Sequence, residues 1–252
     1  MTGEATSWRI RHRAVTESTN ADAAAAGEPG DVFTAGLQTG GRGRLGHRWL
    51  SPPGVNLMMS AVIGVEGLPP EEVATLPLVV GLAVARLVDG FLAEGEDREI
   101  NLDVRIKWPN DILVDWRKIC GILCERKDDR VIAGIGLNVN QLKFPAELEG
   151  LATSLSAELG GEEIDLAEAR DGLLECLGAT LAAWRKDGFT ALWMELVCRD
   201  VLRNMEISVK RTPDDKAPVH GVCGGIQPDG SLLVGGERVY AGEAHVLFPS
   251  CP

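Results

Sequence analysis

The stretch Gln38-Thr39-Gly40-Gly41-Arg42-Gly43-Arg44-Leu45-Gly46-His47-Arg48-Trp49 sets four glycines among three arginines and a histidine. Glycine is poorly held in the interior of a helix or strand, and it lets the backbone bend and approach a ligand closely. The stretch must therefore be a loop. Residues 33–37 read as a short strand that delivers Gln38 to it. Ser51-Pro52-Pro53-Gly54 is a turn, and residues 55–63 form a largely apolar strand. Arginine adds a planar, permanently charged fork that fits phosphate or carboxylate. No Asp or Glu occurs between Asp31 and Glu66, although the formal net charge is -12. An acidic protein that holds an anion keeps its carboxylates away from one place. The loop lacks the Gly-Lys-Ser/Thr of a Walker A motif. Taken alone it could still be a solvated loop or an RNA-binding tail.

The other segments alternate strand and helix. Residues 8–15 suit an opening strand. Ser18-Thr19-Asn20 stands before a helix over residues 21–26 that stops at Gly27. These three residues are either plain capping residues or a helix N-terminus that presents N–H groups to a ligand. Pro69-Pro70-Glu71-Glu72 opens a helix to about Phe91. Residues 104–108 and 112–114 are strand, with a turn at Pro109-Asn110. Residues 118–125 and 130–139 form an antiparallel hairpin. Asp165 caps a helix whose Leu166, Leu173, Leu177, Leu181 and Trp184 keep helical spacing to about Asp187, and residues 190–201 form a shorter one. Five short strands then follow in under fifty residues, which suggests a small barrel. The expected class is α+β: a mixed-sheet catalytic domain with flanking helices over residues 1–202, and a small barrel over 203–252.

Composition removes some classes. A length of 252 residues with 45% hydrophobic content suits one large domain with a small appendage. The longest apolar run, residues 76–88, contains Pro77 and Arg86 and reads as a buried helix rather than a membrane span. The start, Met-Thr-Gly-Glu, does not resemble a signal peptide. Six scattered cysteines fit free thiols in a reducing cytosol, so a cytoplasmic location is expected. Cys120 and Cys124 share a strand face but do not make a metal knuckle. The acidic balance argues against general nucleic-acid binding.

Four more pieces line up with the loop: Lys107-Trp108-Pro109-Asn110-Asp111, Lys118-Ile119-Cys120-Gly121-Ile122-Leu123, Gly134-Ile135-Gly136-Leu137-Asn138-Val139-Asn140 and Ala152-Thr153-Ser154-Leu155. With Ser18-Thr19-Asn20 their order and spacing resemble the biotin protein ligase family, from about Ser18 to the end of the chain. The resemblance implies the biotin/lipoate ligase-like fold, related to class II aminoacyl-tRNA synthetases, with an SH3-like barrel behind it. It implies that biotin and ATP give biotinyl-5′-AMP, and that biotin then passes to a lysine of a biotin carboxyl carrier protein. It assigns catalysis to Lys118, Arg42 and Arg44. The biotin pocket would hold Ser18, Thr19, Asn20, Gln38, Gly41, Arg42, Gly43, Arg44, Lys118 and Gly121. The ATP site would hold Arg42, Arg44, His47, Trp49, Asn110, Asp111, Lys118 and Asn138. Mg²⁺ would sit mostly on phosphates, with Asp111 its protein contact. Gly134 and Gly136 would allow close backbone approach.

Two departures stand out. His47 occupies a place where the family usually carries a basic residue, so loop closure could respond to pH. Only seventeen residues precede Ser18, too few for the DNA-binding repressor domain that some members carry, so no DNA partner is expected. Relatives pair through a sheet edge, and a homodimer is possible. Three rivals remain on sequence: a lipoate or octanoate ligase on the related fold, a biotin-storing protein without turnover, and a basic-loop RNA module. Scarce Phe and Tyr disfavour the last.

Overall fold

The computed structural model describes residues 7–93 and 103–247. Seven strands form one mixed sheet: β1 (Arg9–Thr16), β2 (Asp31–Gln38), β3 (Leu57–Gly64), β4 (Val104–Lys107), β5 (Asp111–Val114), β6 (Arg117–Lys127) and β7 (Arg130–Leu137). Their order is β1-β2-β3-β7-β6-β5-β4, and only β1 and β2 run parallel.

Strand alternation sorts the residues by face. On β3, Leu57, Met59, Ala61 and Ile63 enter the main core; on β7, Val131, Ala133, Ile135 and Leu137 do the same. Helices α3 (Leu76–Ala93) and α5 (Leu166–Asp187) cover that face. Helix α3 is long and apolar enough to cross a membrane, but most of it is buried in this core. The other face carries Phe33, Val62 and Ile132 under helix α1 (Thr19–Ala26). Next to α1 this face is lined by small residues, Ser60, Gly121, Gly134 and Gly136, and the slot they floor is covered by the side chains of Asn20 and Trp49.

The helix expected from Pro69 to Phe91 is two pieces, α2 (Pro70–Ala74) and α3. Pro77 has no N–H to continue the ladder, so a new helix starts around it. The strands expected over residues 104–108 and 112–114, with a turn at Pro109-Asn110, pair as the antiparallel hairpin of β4 and β5. The β6–β7 hairpin forms as its alternation indicates. Asp165 caps α5 by accepting from the Ala167 N–H. A single-turn α4 (Leu155–Glu158) precedes it and α6 (Thr190–Arg199) follows it.

Beyond α6, strands β8 (Glu206–Lys210), β9 (Val219–Ile226), β10 (Leu232–Val234), β11 (Glu237–Val239) and β12 (Glu243–Val246) form a second, antiparallel sheet ordered β11-β10-β9-β8-β12. It is tied to the first sheet at Asp200. This buried carboxylate accepts the N–H groups of Leu202 and Ile226, and its backbone bridges Ile106 on β4.

Candidate active site

The sheet register builds the floor of the slot. Met58 pairs with Gly136, Gly136 with Gly121, and Gly121 with Asp111. Cross-strand partners share a face, so this row runs from β3 to β5 with two bare glycines in its middle. A parallel row pairs Ser60 with Gly134.

One end of the slot is neutral and polar. Gln38 Oε1 accepts from the Thr19 N–H at 2.7 Å and lies 3.2 Å from Thr19 Oγ1. The Ser60 hydroxyl is 2.7 Å from Thr19 Oγ1 and 2.6 Å from Asn20 Oδ1. Asn20 Nδ2 donates to Glu125 Oε2 at 2.6 Å. Ser18 holds the N-cap position of α1, but its side chain makes no capping bond. Gln38, reaching over from β2, caps the helix instead. Ser18, Thr19 and Asn20 are all buried, which for short polar residues at a helix start points inward rather than to solvent.

The other end is cationic. Lys118 Nζ lies 2.7 Å from Asp111 Oδ1, with about a third of the lysine side chain exposed. Asn110 Nδ2 donates to Asp111 Oδ1 at 3.2 Å and to the Ile122 carbonyl at 3.0 Å. Asn110 Oδ1 accepts from Arg44 Nη1 at 3.1 Å, and the same nitrogen donates to the Gly242 carbonyl at 3.1 Å. The Gly-Arg loop is thus held to both sheets through one guanidinium. Burial pulls Arg44 below the ordinary guanidinium value, against the opposing pull of Asp111 and Glu243. Burial pushes the nearby Cys124 thiol up to about 12 although Arg44 pulls it down, so this cysteine is no nucleophile at neutral pH.

Within the loop, Arg42 and Arg48 form a short antiparallel bridge, and the turn between them closes through Gly43 N–H to His47 carbonyl and His47 N–H to Arg44 carbonyl. The Trp49 N–H donates to the Gly41 carbonyl. A side chain at Gly41 would meet the Trp49 carbonyl at 2.5 Å, so this crossing requires glycine. The Arg42 guanidinium is exposed and makes no ion pair or hydrogen bond among the described residues. His47 is also exposed, with Nε2 3.6 Å from Glu243 Oε2.

Trp49 lies over the floor between the two ends. Its indole would be 2.4 Å from a Cβ at Gly136 and 3.0 Å from one at Gly121, and Lys118 Nζ is 5.7 Å from its ring centroid. Its Nε1 is buried without a hydrogen-bond partner among the described residues. A buried N–H of this kind calls for an acceptor. Gly134 serves Asn20, whose Oδ1 would be 2.3 Å from a Cβ there. Both glycines expected to admit a ligand therefore admit a side chain of the protein. Asn138 directly follows β7; its N–H donates to the Ile119 carbonyl on β6 and its Nδ2 donates to the Thr153 carbonyl at 2.9 Å.

A model of the biotin/lipoate A/B protein ligase family matches residues 12–141, just over half of the chain. The chain belongs to this family. Among curated relatives of this ligase family member, the bifunctional ligase/repressor BirA of Bacillus spizizenii is 33% identical over 228 residues, covering 85% of this chain and 65% of the relative. The chain thus spans less than two thirds of that relative's length. The biotin–[acetyl-CoA-carboxylase] ligase of Mycobacterium tuberculosis is 35% identical over 189 residues, covering 73% of this chain and 68% of the relative. Among solved structures, the biotin protein ligase from Aquifex aeolicus in complex with biotin and ATP superposes with a TM-score of 0.79 at 26% identity, covering 94% of this chain and 98% of that one.

Of the site residues named from sequence, Thr19, Asn20 and Gln38 come together at one end and Arg44, Asn110, Asp111 and Lys118 at the other, with Trp49 between them; Arg42 and His47 stand exposed on the loop, and the Asn138 side chain is bonded to Thr153. Three partners were not named from sequence. Ser60 completes the neutral cluster and the exposed Glu125 carboxylate borders it through Asn20, and their strand alternation toward the α1 face was the available signal. The Gly242 carbonyl that takes Arg44 left no signal, since any residue supplies a carbonyl.

Proposed function

We propose that this chain is a biotin protein ligase. It activates biotin with ATP to biotinyl-5′-AMP and diphosphate, then passes biotin to one lysine of a biotin carboxyl carrier protein or domain. The observation that carries this reading is the pairing of Lys118 and Arg44 at one end of a glycine-floored slot whose other end is neutral and polar.

In the first step a biotin carboxylate oxygen attacks the α-phosphorus and diphosphate leaves. Two unit anions about 4 Å apart repel by about 4 kcal/mol at an effective dielectric of 20. Fixed cations at the meeting point offset that repulsion, and they need no reorganisation during reaction. Lys118 and Arg44 fill this role, with Arg42 free to close on the phosphates. Asp111 holds the Lys118 ammonium in place at 2.7 Å, and Asn110 orients the Arg44 guanidinium. Asn138 is assigned to the adenine. The Ser18, Thr19 and Gln38 cluster receives the ureido group, because hydrogen-bonding groups in a dry pocket discriminate strongly. The unpaired Trp49 N–H offers one more donor to the bound ligand. In the second step the carrier lysine's amine attacks the acyl carbon, and AMP leaves. The loop excludes water from the adenylate in the interval.

Mg²⁺ fits this donor set only as an ion held chiefly by phosphate and water oxygens. The described residues contain no cluster of three His, Cys, Asp or Glu groups that could cage it, and Asp111 would be the protein carboxylate nearest the phosphates to hold it. When bound it would neutralise phosphate charge. We further infer that the second sheet is the small SH3-like barrel of residues 203–252, that residues 1–202 are the catalytic domain, and that the enzyme works in the cytoplasm.

ATP–pyrophosphate exchange tests the reading. Exchange should require biotin and fail with lipoate or octanoate. Exchange driven by lipoate would reassign the acyl substrate, and tight biotin retention without AMP formation would indicate a storage protein. A mass gain of one biotin on a carrier domain checks the second step.

A further inference from the structure

Glu158, the last residue of α4, is a buried carboxylate that the proposed chemistry does not use. Its side chain is 5% exposed. It takes Arg117 at 3.0 Å on Oε1 and 3.1 Å on Oε2, and Oε1 accepts from the Thr153 hydroxyl. Arg117 directly precedes Lys118 on β6. Thr153 lies in the segment that runs between the ends of β6 and β7.

That segment is bonded to both strands. The Lys118 N–H donates to the Leu151 carbonyl at 2.8 Å, and the Thr153 N–H donates to the Lys118 carbonyl at 3.0 Å. The Thr153 carbonyl accepts from Asn138 Nδ2, and the Leu155 N–H donates to the Asn138 carbonyl at 3.2 Å. Residues 151–155 therefore set the backbone of Lys118 on one side and the side chain of Asn138 on the other. Residues 151–154 have no regular secondary structure of their own apart from the bridge of Ala152 to Lys118. To those bonds Glu158 adds a buried side-chain anchor, gripping the strut at Thr153 and β6 at Arg117.

We infer that Glu158 is a positioning residue which, through Thr153, fixes the two groups assigned to the nucleotide and to the reacting anions, Asn138 and Lys118. This rests on the ligase reading for the roles of those groups. The contact network stands without it. The biotin-facing residues on α1 and β2 are bonded through Gln38 and Ser60 and do not use the strut. Disturbing Glu158 should therefore act on ATP and on turnover, and much less on biotin, whose ureido end is held by residues the strut does not touch.

The test uses the full chain carrying Glu158→Ala, Glu158→Asp and Thr153→Val. Without substrate, amide hydrogen exchange at Lys118 and Thr153 should rise at least tenfold in Glu158→Ala and Thr153→Val, with β2 and β3 amides unchanged. In pyrophosphate exchange, KM for ATP should rise about tenfold and kcat should fall, with KM for biotin within twofold of wild type. Glu158→Asp should recover part of both losses. In an Asn138→Ala background, Glu158→Ala should add little to KM for ATP, because the two act through one path. Unchanged protection at Lys118 and Thr153 would overturn the proposal. So would equal shifts in the two KM values, or a fall in kcat with both KM values unchanged. If Glu158→Ala does not fold, Thr153→Val and Glu158→Asp carry the same comparison. A wild type without biotin-dependent exchange would sink the ligase reading alone, since the amide measurement decides the positioning without it.

Discussion

Lys118 and Asp111 face each other across β6 and β5, with Nζ 2.7 Å from Oδ1, at the end of a row of two glycines. Both side chains are partly exposed, so as a surface pair they contribute little to stability. Their value is in orientation. Lys118→Met should leave the melting temperature within a few degrees of wild type. It should lower biotin-dependent pyrophosphate exchange by about 10²–10³, the cost of removing one preorganised donor. Asp111→Asn keeps the shape and loses the charge, so its loss should be smaller. Steady-state exchange and thermal melts on the three proteins check the order.

The glycine floor makes a second, separable forecast. An added Cβ at Gly136 meets the Trp49 indole at 2.4 Å, and one at Gly134 meets Asn20 Oδ1 at 2.3 Å. Overpacking of this kind costs about 1–3 kcal/mol. Gly136→Ala pushes on a loop residue that can move, so it should change exchange kinetics with little loss of stability. Gly134→Ala pushes on a side chain held by Ser60, Leu123 and Glu125, so it should lower stability and raise KM for biotin. Denaturant melts and KM values for the two variants separate the cases.

The same two glycines show what was legible in the sequence. Their position in an apolar, alternating strand placed them on a sheet face, and the sheet is there. What fills the space above them is Asn20 and Trp49, and those contacts join residues more than 80 positions apart. The N-cap at Ser18 followed the same pattern. Local composition marked where α1 starts, but the group that satisfies the first N–H is Gln38 on another strand. Trp49 was expected at the ATP site from the resemblance. It is half-buried on the floor with its N–H unpaired, a combination no local pattern encodes. The cationic loop was legible because charge and glycine content are local properties. The contact of Arg44 with the Gly242 carbonyl was not, because it depends on how the second sheet is placed.

Asp31 gives a pH dependence with a definite sign. Burial raises its pKa, but the Glu28 N–H and the Arg9 and Arg11 guanidiniums together outweigh burial and hold it below the ordinary value. A carboxylate with a depressed folded pKa stabilises above the unfolded value of about 3.9, and loses that contribution as pH falls through the folded pKa. Asp31→Asn should cost about 1–2 kcal/mol at pH 7, discounted because both arginines are half exposed. Urea unfolding of both proteins from pH 7 to pH 3 should show this difference shrinking below about pH 4. A difference that stays constant across the range would mean that the Arg9–Asp31 and Arg11–Asp31 contacts carry no charge-dependent stability.

Arg44 and Arg42 sit two residues apart in one loop but in different surroundings. Arg44 is half-buried and bonded at once to Asn110 Oδ1 and the Gly242 carbonyl, whereas Arg42 is exposed. A lysine in place of Arg44 is a compact point charge without the planar fork, so it cannot reproduce both bonds with one rigid group. Arg44→Lys should therefore loosen the loop even without ligand, raising amide exchange across residues 42–49, and should lower pyrophosphate exchange at least tenfold. Arg42→Lys should leave the unliganded loop as protected as in wild type. Its effect should appear only when biotin and ATP are present, as a smaller gain in protection at the same amides. Equal protection of residues 42–49 with and without ligand in the wild type would mean that this loop does not close at all, and would remove water exclusion from the mechanism.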